Sequence, residues 1–345
     1  MTDSVFLRAC RREKTPYTPV WLMRQAGRYM PEYRALRERV PFLTLCKTPD
    51  LAAQVTVEAV ERLGVDAAIL FADILLILEP MGVGLEFSKG DGPVIHRPVR
   101  SGVDVDRLIE RPPTETVPFV FEAVRKARAG LPLHIPLIGF SGAPFTVASY
   151  LIEGGSSRNY IETKRLMYQD PGAWRALMEL LVRTITAYVK GQIAAGAQAM
   201  QFFDSWIGCL SPADYRTFIL PHMQSLFAGI TLGVPVIHFG TDTAGLLELL
   251  AEAGGNVIGV DWRIDLDVAW QRIGYERAVQ GNLDPVVLFA QRDELRKQVK
   301  RVLQEAAGRP GHIFNLGHGI LPQTPVDNVV ALVDIVHEIS VKRNA

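Results

Sequence analysis

This 345-residue sequence contains only three cysteines, Cys10, Cys46 and Cys209, far apart and without a C-x-x-C pair. Neither a disulfide framework nor a zinc knuckle can be built on them, and they read as small buried hydrophobes. An excess of one charge is also lacking: Lys plus Arg and Asp plus Glu number 37 each. Nucleic-acid binders generally present a basic face, so no nucleic-acid partner is expected. Any anion site has to be assembled locally from a few placed arginines. The longest apolar stretch, Ala67 to Val83, is broken by Asp73 and Glu79 and is too short to span a bilayer comfortably. The N-terminal stretch shows no apolar h-region followed by a small-residue cleavage site. A soluble, cytoplasmic protein is the expectation. The glycine loop of a dinucleotide site is missing too, since Gly82-Val83-Gly84 lacks the third glycine.

What the chain does have is a recurring unit: a short apolar run, then a longer helical pattern. The runs predict strands at Val20–Arg24, Ala67–Ala72, Pro136–Ser141, Ala199–Asp204, Pro235–Phe239, Val257–Asp261, Ala278–Gly281 and His312–Leu316. Helices are predicted over Pro49–Leu63, Thr116–Ala129, Pro171–Ala195, Pro212–Leu232, Thr243–Ala253, Leu266–Ile273, Pro285–Ala307 and Pro325–Lys342. Several begin with a capping residue before proline: Thr48-Pro49, Asp170-Pro171, Ser211-Pro212, Asp284-Pro285 and Thr324-Pro325. A proline's missing N–H costs nothing at the first helical position, where no acceptor waits for it. Glycines at 64, 130, 254 and 308 stand where helices should stop. Near-continuous apolar strands alternating with helices imply a parallel sheet covered on both faces. Eight such units favour an α/β fold of the closed (β/α)8 TIM-barrel kind, one domain over residues 1–345, with an open doubly wound sheet as runner-up. Two long connections, from about Ile74 to Ile135 and from Gly142 to Gln198, are candidates for the walls of a deep cleft at the barrel's C-terminal face.

Function in such barrels collects where strands end. Those positions hold Arg24 to Arg28, Asp73, Ser141, Asp204 and Ser205, His238, Asp261 and Arg263, Asn282 and Asp284, and His318. In Arg24-Gln25-Ala26-Gly27-Arg28, two arginines flank a small flexible pair. Guanidinium forks match carboxylates and small residues admit a ligand to the backbone, although two structural salt bridges would fit as well. Asp73 lies in a run of apolar residues, where an unpaired carboxylate would be costly. It has to cap a helix, pair with a cation or face a ligand. Gly139-Phe140-Ser141-Gly142-Ala143 only brushes against a nucleophile elbow, and no partner His and acid are identified. His238 reads as a core histidine. His318, between Gly317 and Gly319, has its imidazole opened to a ligand.

Taken together, these residues resemble a known family. Pro19-Val20-Trp21-Leu22-Met23-Arg24-Gln25-Ala26-Gly27-Arg28-Tyr29-Met30-Pro31-Glu32-Tyr33-Arg34 is similar to the N-terminal signature of the uroporphyrinogen decarboxylases. Gly139 to Thr146, through Tyr150 to Glu153-Gly154-Gly155, resembles their second signature, and Asn315-Leu316-Gly317-His318-Gly319 their closing motif. The resemblance implies a (β/α)8 barrel, a homodimer, and no metal or organic cofactor. It also implies conversion of uroporphyrinogen III to coproporphyrinogen III with loss of four CO2, on the route to haem. Carried over by position, it implies that Arg24, Gln25, Ala26, Gly27 and Arg28 bind substrate and that Asp73 faces the pyrrole nitrogens. Tyr150, Ser205, His318 and, more weakly, Phe42 would line the cleft. Asp73 and Arg24 would be catalytic. Arg24 is the first choice for proton donor, with His318, Tyr150 or water relayed through Asp73 as alternatives. The nearest rival, a zinc-dependent barrel methyltransferase, needs a His-x-Cys pair where this chain has His238-Phe239-Gly240. A tetrapyrrole carrier without turnover would not need Asp73 and the arginine loop together.

Overall fold

The computed structural model describes residues 4–88, 92–230 and 233–344. Seven strands form one parallel sheet in chain order: Ala68–Ile69, Leu137–Gly142, Ala199–Asp204, Val236–Gly240, Val257–Gly259, Ala278–Gln280 and His312–Ile313. The chain at Val20 joins its two edges. Val20 bridges Phe314 in parallel, and the Phe314 N–H donates to the Pro19 carbonyl at 2.8 Å. On the other side the Asp66 N–H donates to the Val20 carbonyl at 2.8 Å. The sheet therefore closes as a (β/α)8 barrel, and the open-sheet alternative is excluded.

The first expected strand needs correction, because Val20–Arg24 contributes a bridge at Val20 and then turns. Gln25 causes the turn: its Oε1 accepts from the Leu22 N–H at 3.0 Å, while its own N–H donates to the Leu22 carbonyl. The second strand is also shorter than its apolar run, which continues as irregular chain towards Asp73. There the Phe71 N–H is taken by Thr56 Oγ1 at 2.9 Å.

Helices Pro49–Leu63, Pro171–Ala195 and Leu266–Ile273 have the expected limits. The capping side chains of Asp170, Ser211 and Asp284 each accept a backbone N–H of the first turn, whereas Thr48 donates instead to the Thr44 carbonyl. The expected helix over Pro212–Leu232 is interrupted. A wide turn at Tyr215–Ile219 separates Pro212–Asp214 from Leu220–Gly229, and the expected end at Leu232 lies outside the described residues. Pro221 accounts for the break, since it offers no N–H and crowds the preceding turn. Pro285–Ala307 likewise divides into a 3-10 turn, Pro285–Phe289, and a helix, Arg292–Ala306.

The two long connections carry structure of their own. The first holds an antiparallel pair, Leu85–Ser88 with Gly92–Ile95, and the helix Pro118–Gly130. The second holds Pro144–Glu153 and Ile161–Gln169 before the long helix Pro171–Ala195. Among the described residues no helix is long and apolar enough to cross a membrane.

Candidate active site

Because every barrel strand is parallel, the polar residues singled out at strand ends lie towards one end of the barrel. Arg24 follows the Val20 bridge, Asp73 the second stave and Ser205 the strand Ala199–Asp204; His318 follows the last stave and Tyr150 lies on the helix Pro144–Glu153. Arg24, Asp73, Tyr150 and His318 are linked electrostatically. Arg24 feels the charges of Arg28 and Asp73, and its own charge acts on Asp73, Tyr150 and His318.

Asp73 is the centre of this group. Its Oδ1 accepts the Leu75 N–H at 2.9 Å, a local turn just ahead of the 3-10 helix Leu76–Met81, whose own first turn has no side-chain cap. One N–H does not compensate an ionised carboxylate so enclosed. Removal from water pushes its pKa up from 3.8 to about 6, against the lowering effects of the Leu75 N–H and then Arg24. Water still reaches part of the side chain. The carboxylate keeps acceptor capacity for a ligand carrying several N–H groups.

Arg24 has left-handed backbone, φ 62°, unusual for a residue with a side chain. Two hydrogen bonds hold the neighbouring Met23: its N–H donates to Asn315 Oδ1 at 3.2 Å, and its carbonyl accepts the Ile320 N–H at 2.9 Å. Arg24 and Arg28 both stand exposed to solvent. Protein nevertheless crowds Arg24, and this partial loss of water, then the charge of Arg28, lowers its pKa; the Asp73 carboxylate pulls the other way. Gln25 behaves differently from its neighbours. Its side chain is fully buried, with Nε2 donating to the Ala67 carbonyl at 3.1 Å, so it shapes the loop and does not face the site. Ala26 and Gly27 are half-buried beside it.

His318 is neutral near pH 7. Burial, then the charges of Arg24 and Arg263, bring its pKa down to about 4 against the pull of Asp261. Its Nδ1 accepts the Gly319 N–H at 2.7 Å, which puts its hydrogen on Nε2. A neutral imidazole is a hydrogen-bond donor here, not a stored proton. Tyr150 is raised to about 12 by burial and Asp73, against Arg24, and so also stays neutral.

Aromatic rings wall the site, and the sequence reading found only part of that wall. Phe42 packs edge-on to Phe71, two residues before Asp73, and against Phe87 with centroids 4.9 Å apart. Tyr150 lies over Trp206 at 3.7 Å, and Tyr160 approaches the same indole. Trp206 follows Ser205 directly, but an indole in a loop gives no sequence signal of its own.

Other strand-end residues have structural roles. Ser141 is buried and its hydroxyl donates to the Gly142 carbonyl at 3.0 Å. Asp261 accepts the N–H groups of Asp242 and Arg263 and pairs with the Arg263 guanidinium at 2.6 Å. Asn282 donates to the carbonyls of Asp261 and Ile264. His238 is buried behind the barrel wall, edge-on to Phe227 and 3.8 Å from Asp204. Among the described residues no group of three His, Cys, Asp or Glu could hold a metal ion.

Comparison with known proteins agrees with this geometry. Solved structures share the barrel at low identity: a methyltransferase from Methanosarcina mazei superposes with a TM-score of 0.82 at 20% identity, over 97% of each chain. A B12-independent methionine synthase from Shewanella gives 0.58 at 10%, over 84% of this chain and 88% of its own. At such identities the likeness is of fold alone. Closer relatives carry more. The uroporphyrinogen decarboxylase of Carboxydothermus hydrogenoformans is 58% identical over 339 residues, covering 98% of this chain and 97% of its own. That of Sorangium cellulosum is also 58% identical, covering 97% and 96%. The family model described as uroporphyrinogen decarboxylase (URO-D) matches residues 1–339. With that span matched, and with the arginine loop, Asp73 and His318 gathered on one face of a closed barrel, the chain belongs to the uroporphyrinogen decarboxylase family.

Proposed function

We propose that this chain decarboxylates the four acetate side chains of uroporphyrinogen III to methyl groups, giving coproporphyrinogen III and four CO2 in haem biosynthesis, without a cofactor. The observation that carries the reading is the enclosed, singly hydrogen-bonded carboxylate of Asp73 facing the same space as Arg24, in a chain of this family.

The chemistry suits these groups. Loss of CO2 leaves an electron pair on the acetate's methylene carbon, and a sink must receive it. Many enzymes import that sink as a cofactor, but a pyrrole can supply its own. A proton added to the ring carbon beside the acetate-bearing carbon makes a conjugated cation. The C–C bond to the carboxylate then breaks towards that cation and CO2 leaves. The exocyclic methylene takes a proton to become methyl, and the ring proton is lost. Each acetate thus consumes one proton overall. Asp73 stabilises positive charge where it develops. At ~4 Å and an effective dielectric of ~20 this attraction is about 4 kcal/mol, on the order of a thousandfold in rate if confined to the transition state. Arg24, with its lowered pKa and its place beside Asp73, is the first choice for bringing the proton. Neutral His318 and Tyr150 orient substrate, Arg28 holds a carboxylate, and Ser205 and Phe42 complete the lining. We read residues 1–345 as one domain, working as a homodimer in the cytoplasm with no nucleic-acid partner.

Anaerobic incubation with reduced uroporphyrinogen, followed by chromatography of the products, tests the reading. Activity is expected without any addition and undiminished after exhaustive chelation; dependence on zinc, pyridoxal phosphate or a corrinoid would overturn it. Arg28→Lys keeps the charge but loses the two-pronged carboxylate contact. It is expected to raise KM several-fold, and unchanged KM and kcat would make Arg28 a scaffold residue.

A further inference from the structure

The glycines around His318 were read above as opening its imidazole to a ligand, but Gly319 has a second geometric role. A Cβ built on Gly319 would lie 2.5 Å from Arg24 Cδ, 2.7 Å from Cγ and 3.0 Å from Nε. These atoms belong to the middle of the Arg24 side chain, not to its mobile end. The Arg24 backbone has little freedom to follow, so relief requires the exposed arm itself to swing away from its place. That backbone is already left-handed, and Met23 is tied on one side to Asn315 and on the other to Ile320. Gly319 itself lies outside the left-handed region, so alanine there meets no backbone penalty of its own. Gly317 contrasts with it, because a Cβ at that position would strike the Trp262 backbone nitrogen at 2.5 Å. Gly317 faces fixed main chain, whereas Gly319 faces the guanidinium arm of the site.

We propose that Gly319 is a positioning residue for Arg24: the absence of a side chain forms the bed on which the Arg24 arm lies, aiming its guanidinium into the site. This rests on the catalytic reading of Arg24 given above. The closing motif thereby serves two partners in adjoining positions, presenting His318 and seating Arg24 from the first motif, nearly the whole chain length away.

A double-mutant cycle on the full-length protein tests it, using Gly319→Ala, Arg24→Ala and the pair, with kcat, KM and thermal melts for each. Gly319→Ala is expected to lower kcat at least tenfold and to lower Tm. In the Arg24→Ala background, where Cγ, Cδ and Nε are gone, the same substitution is expected to change kcat less than twofold and to leave Tm nearly unaltered. If Gly319→Ala alone fails to fold while the pair folds, the clash is equally demonstrated. Multiplying losses in kcat and adding losses in Tm would overturn the proposal, as would failure of both to fold or a fully active Gly319→Ala. Full activity in Arg24→Ala alone would sink the catalytic reading of Arg24, while the Tm cycle would still report whether the two residues touch.

Discussion

Asp73→Asn is expected to lower kcat by two to three orders of magnitude while making the protein more stable. The activity loss is on the scale of removing one preorganised electrostatic contact. A neutral amide offers a single acceptor oxygen to several pyrrole N–H groups and adds two donors that oppose them, so product binding should weaken as well. The stability gain follows from the sign of the pKa shift. The Asp73 carboxyl is raised from 3.8 to about 6 in the folded protein, so the folded state holds this proton more tightly than the unfolded one. Stability contributed by the group is therefore lost as pH rises between these values. At neutral pH the ionised side chain costs up to roughly 3 kcal/mol, less to the extent that water reaches it. Asparagine avoids that cost and can still accept the Leu75 N–H. Tm should rise by a few degrees. A residue serving only that local turn would give near-normal kcat in the same variant, and that outcome would remove Asp73 from the mechanism.

The acid limb of the pH profile should belong to the same residue. If only ionised Asp73 supports the cationic intermediate, kcat/KM should fall about tenfold per pH unit below about 6. By pH 4 the loss should reach roughly a hundredfold. The profile of kcat should be displaced to lower pH, because pyrrole N–H groups favour the ionised carboxylate in the complex. Neither His318, held down to about 4, nor Tyr150, raised to about 12, can produce a limb near 6. The diagnostic comparison is Asp73→Asn, whose residual activity should show no inflection there. An unchanged limb in that variant would assign it to another group.

Much of the barrel was legible because its signals are local. Proline behind Thr48 and behind Asp170 marked the start of Pro49–Leu63 and Pro171–Ala195, although only Asp170 caps with its side chain, and alternation of apolar runs with helices implied the parallel sheet. Departures occur where a side chain competes for backbone groups or where a proline interrupts an apolar pattern. Gln25 turns the chain after Val20 by bonding Leu22 and Ala67, and no strand propensity in Val20–Arg24 registers that competition. Pro221 interrupts a helix whose apolar pattern runs on undisturbed. The site was legible as a set of strand-end residues and family motifs, but not as a geometry. Gln25 belongs to the signature yet faces inward, while Trp206 gave no signal and lies over Tyr150. The dependence of Arg24 on Gly319 joins residues from opposite ends of the chain, and only closure of the barrel brings them into contact.

A structure of the protein with coproporphyrinogen bound tests the central claim most directly, because it places the pyrrole nitrogens relative to Asp73. The account predicts a cupped macrocycle whose N–H groups converge on the Asp73 carboxylate at hydrogen-bonding distance, with ring substituents reaching Arg24 and Arg28. A macrocycle bound with its nitrogens turned away, leaving Asp73 bonded to Leu75 alone, would contradict it.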